Sequence, residues 1–378
     1  MSALTRPQRL LLGLIASLTA LAGIADYGAW AAVPRFGIAT LALAGLAWVV
    51  SFATEQLGER FGPGVTGMMQ STLGNLPELF VVIFALQKGE LVVAQTAIVG
   101  SIFANALLVL GLVIVVGARR SSGGVMRFSK RLPRDTTTLL QVTVFIIVLL
   151  GLSLGAHDPA SHHVNAISAV GAGCLLVVYL AWVVPYLRSD SAPGEEAAAG
   201  VGEEREPAGE GEAGVPGGDA AMGRVAAVPL WLTVALLLIG GTASAFVSDW
   251  FINGLSPAIS QLHISQAFAG LVIVAIAGNA VENTAGLVLA WKGKADLAIS
   301  VVKNSVAQIA AFLFPLLVLI SFALKTQLTF ALAPVYIGAL ALTALVLWQV
   351  TGDGEAAEFE GWALVAVYVI LGTLTLYE

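Results

Sequence analysis

Apolar residues run in long unbroken stretches along this chain. They fall at about 10–32, 37–53, 63–87, 91–117, 137–155 and 163–187, and again at about 228–250, 265–291, 295–323, 328–350 and 360–377. A helix that crosses ~30 Å of hydrocarbon needs about 17–25 residues, and each stretch reaches that length. The pattern therefore predicts an all-α membrane protein with about eleven transmembrane helices. The first stretch follows Arg6 and Arg9, as a signal peptide would, but it outruns the roughly 7–15 residues of a signal's apolar region and reads as a span.

Between the sixth and seventh stretches the pattern stops. Ser189 to Arg224 is rich in Gly, Ala, Glu and Pro and almost without large apolar side chains, so it buries too little to fold and reads as a solvated linker. Its acidity also explains the formal charge of −6, because nine of the 24 acidic residues lie between Asp190 and Asp219. Charged residues make up only 11% of the chain against 58% hydrophobic, too few to coat a soluble domain. The single Cys174 permits no intrachain disulfide. With the N-terminus inside and eleven crossings, 14 of the 18 Lys and Arg residues fall on the cytoplasmic side; only Arg35, Lys88 and Lys325 fall outside. Lys303 is left within a span.

Sliding the chain along itself by 204 residues aligns GNLPELFVVIFALQKG (Gly74 to Gly89) with GNAVENTAGLVLAWKG (Gly278 to Gly293) without a gap. Gly74, Asn75, Glu78, Lys88, Gly89 and Ser101 land on Gly278, Asn279, Glu282, Lys292, Gly293 and Ser305. Asn and Glu are scarce in spans, so the match marks an internal duplication. Five spans per copy, joined by a cytoplasmic linker, set the second copy in opposite orientation to the first. In inverted repeats of this kind the ion site lies near the midplane between the repeats, on helices interrupted by small or helix-breaking residues. Gly74 with Pro77, and Gly278, supply such breaks.

A carboxylate at mid-span costs about 2.5–3.5 kcal/mol on insertion scales, and this chain carries one at each symmetric position. Simple interhelical hydrogen bonding by protonated Glu78 and Glu282 would not account for an Asn three residues before each. Calcium suits the set, because it takes 6–8 hard oxygen ligands from carboxylates, amides, backbone carbonyls and water. Glu78 and Glu282 would supply charge, Asn75 and Asn279 amide oxygens, and the breaks at Gly74 and Gly278 free carbonyls. With the ion gone, two carboxylates close together in low dielectric would take up protons, so ion and proton compete for the same oxygens. Ser101 with Asn105, and Ser305 with Gln308, share helix faces one span further on and read as supporting groups. Lys303 aligns with Val99 and either snorkels, pairs with a carboxylate or competes with the bound cation. Glu55, Glu59 and Asp249 read as interfacial, His157, His162 and His163 as loop residues without metal spacing, and Trp30, Trp48, Trp182, Trp250, Trp291 and Trp348 as interfacial anchors.

GNLPEL with GSIFANALLVLG, and GNAVEN with NSVAQIAAFLFPLLVL, resemble the two alpha repeats of the calcium/cation antiporter superfamily, specifically its calcium/proton exchanger branch. ATEQLGERFGP (Ala53 to Pro63) resembles the stretch before that branch's first repeat. The resemblance implies that Glu78 and Glu282 are the calcium and proton carboxylates, and the Asn after each motif Gly, where sodium-coupled relatives usually have Thr, implies proton coupling. Two positions depart from the branch. Asn283 stands where His is frequent, and Asn304 where Gly is.

The expected architecture is one N-terminal helix (1–36), a first five-helix repeat (37–188), an acidic cytoplasmic linker (189–227) and a second, inverted repeat (228–378). The expected function is exchange of Ca2+ for H+ by alternating access, with Na+ or K+/H+ antiport at the same site as the alternative. The expected partners are the two transported ions and the lipid bilayer, with an oligomer allowed, and neither nucleic acid nor a resident cofactor is expected. An intramembrane hydrolase would need HExxH, paired aspartates or a Ser/His pair, which the spans lack, and a scaffold would not need duplicated acids. The Ala- and Gly-rich composition points to a bacterial inner membrane.

Overall fold

The computed structural model describes residues 4–58, 60, 73–121, 123–129, 131–189 and 228–378, without the side chains of 58, 131–133, 186–189, 281 and 282. The linker from 190, Glu59, residues 61–72 (63–72 of them in the third expected span) and the Glu282 side chain lie outside the described residues.

The helices are α1 (Arg6–Tyr27), α2 (Ala32–Gly58), α3 (Leu76–Lys88), α4 (Leu91–Arg120), α5 (Arg131–Gly155), α6 (Val164–Ser189), α7 (Leu230–Leu262), α8 (Gln266–Gly278), α9 (Ala280–Trp291), α10 (Ala295–Ser321), α11 (Pro334–Thr351) and α12 (Glu358–Leu376). Among the described residues nine helices are long and apolar enough to cross a membrane, and α8 with α9 makes a tenth, bent by 57°. The third expected span is represented by α3 alone.

Contacts at the helix ends show where α3 fits. The Arg60 guanidinium donates to the Val228 carbonyl at the start of α7, the linker side of the molecule. The Lys88 ammonium meets Asp249 Oδ1 at 2.5 Å and Asn253 Oδ1 at 2.6 Å. Asp249 lies nineteen residues after Leu230, or ~29 Å along α7. Arg60 and Lys88 therefore touch α7 at positions separated by a distance close to the hydrocarbon thickness. At the far end, Arg35 donates to the Asn253 carbonyl at 3.1 Å and pairs with Asp26 at 3.6 Å, and Asn165 donates to Gln327 at 2.6 Å.

The turns after α4, α9 and α11 meet on the linker side. There β1 (Val125–Arg127) pairs antiparallel with β2 (Glu355–Ala357), with Val125 opposite Ala357. Arg127 pairs with Glu355 at 3.1 Å, Arg119 with Glu358 at 2.8 Å, and the Ser129 amide donates to Asp296 at 2.6 Å. The hydrophobic pattern does not anticipate this ribbon, because strands of three residues are too short to show an alternation of period two.

At the centre α4 is almost wholly buried, as an apolar helix surrounded by others must be. Glycine lets its neighbours come close. A Cβ on Gly111 would lie 2.6 Å from the Gly361 carbonyl oxygen of α12, and one on Gly361 would lie 2.6 Å from that of Gly111. On the same helix a Cβ on Gly100 would lie 2.5 Å from the Leu271 Cα of α8. Without a hydrophobic force between helices in lipid, such backbone approach is a main source of packing energy. Large side chains such as Leu152, Val170, Val177, Leu238 and Ile239 face outward, where soluble proteins seldom expose them in such numbers.

Candidate ion site

The two Gly-Asn-x-x-Glu motifs lie at helix breaks with matching backbones. Asn75 precedes α3 with φ −91° and ψ 12°, and Asn279 precedes α9 with φ −101° and ψ 15°. Both occupy the sparsely populated bridge region, where many active-site residues sit. Helical bonding resumes at once, since the Leu79 amide donates to the Asn75 carbonyl at 2.9 Å and the Asn283 amide to the Asn279 carbonyl at 3.0 Å. Pro77 fits the first turn of α3, where its missing N–H has no helical acceptor.

Glu78 lies in that first turn and is 2% exposed. The positive end of the α3 dipole favours a carboxylate there. A Cβ built on Gly278 would lie 3.9 Å from Glu78 Cβ, so the first repeat's acid faces the second repeat's break. Glu282 belongs to α9 by its backbone and follows the Gly278 break by four residues.

Asn279 is the hub of a network that joins the repeats. It is 1% exposed, and its Nδ2 donates to Ser101 Oγ and to the Ala275 carbonyl, each at 2.9 Å. Its Oδ1 accepts from Asn105 Nδ2 at 3.0 Å, which donates also to the Ser101 carbonyl at 3.0 Å. Ser101 and Asn105 thus contact the motif of the opposite repeat rather than their own. Asn75 and Ser305 are buried and Gln308 is half-buried, on α10.

Three amide oxygens, Asn105 Oδ1, Asn283 Oδ1 and Asn304 Oδ1, are buried with no hydrogen-bond donor among the described residues. Asn283 and Asn304 are the two positions that depart from the resembled branch, so the departures add oxygen acceptors. π-Helical turns follow Ser101 and Ser305 in the two halves, at Ala104–Val109 in α4, which includes Asn105, and at Ile309–Leu313 in α10. Shifted by 204, the first falls on 308–313. A third lies at Ala269–Val274, just before the Gly278 break. Such turns are common at functional sites because they leave carbonyls out of the regular ladder. Sequence reading missed them, since no residue type marks the wider turn.

Lys303 does not reach a surface. It is 1% exposed, and its ammonium donates to Thr137 Oγ1 of α5 and Thr351 Oγ1 of α11, each at 2.7 Å. Since Ser305 lies about 200° around α10 from Lys303, the two side chains leave opposite faces of the helix. Glu55 is exposed, Asp249 is held by Lys88, and His162 and His163 end an exposed 3-10 turn at Pro159–His163. Trp30, Trp291 and Trp348 are exposed, whereas Trp48, Trp182 and Trp250 are half-buried. Among the described residues no three His, Cys, Asp or Glu side chains converge.

The sodium/calcium exchanger protein family matches residues 31–186 and 232–377. The chain belongs to that family. It is 28% identical over 345 residues to a Ca2+/H+ antiporter of Aphanothece halophytica, covering 91% of this chain and 90% of that one. It is 29% identical over 352 residues to the vacuolar calcium ion transporter of Schizosaccharomyces pombe, covering 92% and 80%. The solved structure of native YfkE shares its fold with a TM-score of 0.77 at 23% identity, covering 97% of this chain and all of that one. The exchanger family places the broken helices and their shared polar network in a multi-pass membrane transporter.

Proposed function

We propose that this exchanger moves Ca2+ against H+ through one shared site, as a secondary transporter and not an enzyme. The observation that carries the reading is Glu78, nearly inaccessible, set against Gly278 where the two motifs meet. The names borne by the relatives at 28% and 29% identity support the choice of ions. Glu78 and Glu282 carry the charge that balances Ca2+. Asn75 and Asn279 supply amide oxygens, for a carbonyl oxygen has two lone pairs, and Asn279 Oδ1 can serve a cation while it accepts from Asn105. The breaks at Gly74 and Gly278 free backbone carbonyls, and Ser101, Asn105, Ser305 and Gln308 steady the motifs.

Calcium departs when protons neutralise the carboxylates, and protons depart when calcium returns, so exchange needs no separate proton route. Exchange of Na+ or K+ at the same site is suggested by Lys303 and by Asn283 where the branch often has His, and the Lys303 ammonium is held by Thr137 and Thr351 on the face away from Ser305. The linker side is the cytoplasmic one, with the N-terminus inside, in a bacterial inner membrane. The domain division is the N-terminal helix, two inverted repeats and the linker at 189–227.

The test is calcium-45 uptake into everted vesicles or proteoliposomes under an imposed pH gradient, with sodium and potassium gradients as controls. Glu78→Gln and Glu282→Gln are each expected to abolish uptake while the protein still inserts and purifies. Vigorous calcium/proton exchange by either variant overturns the proposal.

A further inference from the structure

Four cations of this molecule are paired with acids: Lys88 with Asp249, Arg35 with Asp26, Arg119 with Glu358 and Arg127 with Glu355. One linker-side corner gathers three that are not. The Arg120 guanidinium lies 4.9 Å from the ring centre of Trp291, and Lys292 and Lys294 follow directly in the turn between α9 and α10. None of the three cations makes an ion pair among the described residues. The neighbouring acids are otherwise engaged, Asp296 with the Ser129 amide and Glu358 with Arg119 and Trp362.

The turn is built, not loose. The Lys292, Gly293 and Lys294 amides donate to the carbonyls of Val288, Ala290 and Leu289, each at 3.0 Å, and Gly293 takes φ +75°, which a residue with a Cβ adopts only under strain. Both lysines are therefore held beside the end of α4. Trp291 is 63% exposed at the end of a membrane-crossing helix, the depth at which an indole sits among headgroups.

We propose that Arg120, Lys292 and Lys294 form a binding site for the headgroup of an anionic phospholipid, with Trp291 against its glycerol and upper acyl region. The planar guanidinium suits a phosphodiester, the two ammonium groups add charge, and the indole selects a ligand that has an apolar part. Because α4 belongs to the first half of the chain and α9 and α10 to the second, a bound headgroup bridges the two halves. The corner does not depend on which ion is transported, so its test is separate from that of the ion site.

The experiment is native mass spectrometry of the purified full chain, titrated with phosphatidylglycerol or phosphatidylcholine, with inorganic phosphate as competitor. The expected result is preferential retention of phosphatidylglycerol that millimolar phosphate does not abolish. Affinity should fall roughly fivefold for each of Arg120→Gln, Lys292→Gln and Lys294→Gln, the change expected of one cation near an anionic surface. Arg6→Gln with Arg9→Gln, which removes exposed cations elsewhere, should leave retention unchanged. Each variant is first checked for an unaltered melting temperature, and one that melts early is set aside in favour of the other two. Equal binding of the two lipids, retention unchanged by the substitutions, or full displacement by phosphate each overturns the proposal.

Discussion

Asn279→Ala tests whether the hub of the polar network does what its geometry says. The substitution removes the donors to Ser101 Oγ and the Ala275 carbonyl and the acceptor for Asn105 Nδ2, three bonds of 2.9–3.0 Å at a side chain 1% exposed. Hydrogen bonds between membrane helices average ~0.6 kcal/mol and reach ~1.7. Two of the three bonds, to Ser101 and Asn105, cross between helices and sum to roughly 1 kcal/mol, and the unsatisfied Ser101 hydroxyl adds to the loss. A double-mutant cycle of Asn279→Ala with Ser101→Ala isolates the direct contact, and SDS-driven unfolding of the purified variants in mild detergent reads it. The expected coupling is about 0.6–1.7 kcal/mol. Ser321 bonds to Val318 and Leu328 and shares no partner with Asn279, so Asn279→Ala with Ser321→Ala should be additive within ~0.5 kcal/mol. Coupling near zero in the first cycle, or equal coupling in both, would refute the network. The same variant should weaken calcium binding, because it deletes an amide oxygen as well as the network that aims it.

Lys303→Met should leave calcium affinity and ion selectivity unchanged, since its ammonium is directed to Thr137 and Thr351; a changed sodium or potassium response in the exchange assay would reopen the alternative. Thr137→Val should cost more stability than Lys303→Met, by about 1–3 kcal/mol, because it leaves the buried Lys303 Nζ one acceptor short whereas Lys303→Met removes the polar group itself. Gly111→Ala places a Cβ 2.6 Å from the Gly361 carbonyl and should destabilise by about 1–3 kcal/mol in a melt, whereas Gly13→Ala, with nothing within 4 Å, should be neutral or mildly stabilising. Deleting most of residues 192–221 should leave exchange measurable in vesicles, because a segment so poor in apolar residues adds little to the helical core.

Sequence could reveal what is chemically expensive for its surroundings, and it concealed what depends on distant partners. Asn75, Glu78, Asn279 and Glu282 stood out because polar residues inside apolar stretches must have a use, and because the same set recurs 204 residues later. The structure then adds that Asn279 contacts Ser101 and Asn105 across the repeats, a pairing 178 and 174 residues long that no local pattern encodes. Lys303 shows the limit most clearly. As an isolated cation in a span it reads as a snorkelling side chain, a carboxylate's partner or a competitor for the ion, since its depth and direction are decided by Thr137 and Thr351, 166 and 48 residues away. The close contacts of Gly111 and Gly361 are hidden for a different reason, because 41 glycines give no sign of which ones touch. The π turns are hidden because nothing in ANALLV (Ala104–Val109) or IAAFL (Ile309–Leu313) marks a wider turn. Yet both follow polar residues at symmetric places, so the duplication that identifies the carboxylates also indicates where the backbone irregularities should be sought. A polar residue that recurs at mid-span in both halves directs the search to the turn after it, where exposed carbonyls can complete a cation's shell.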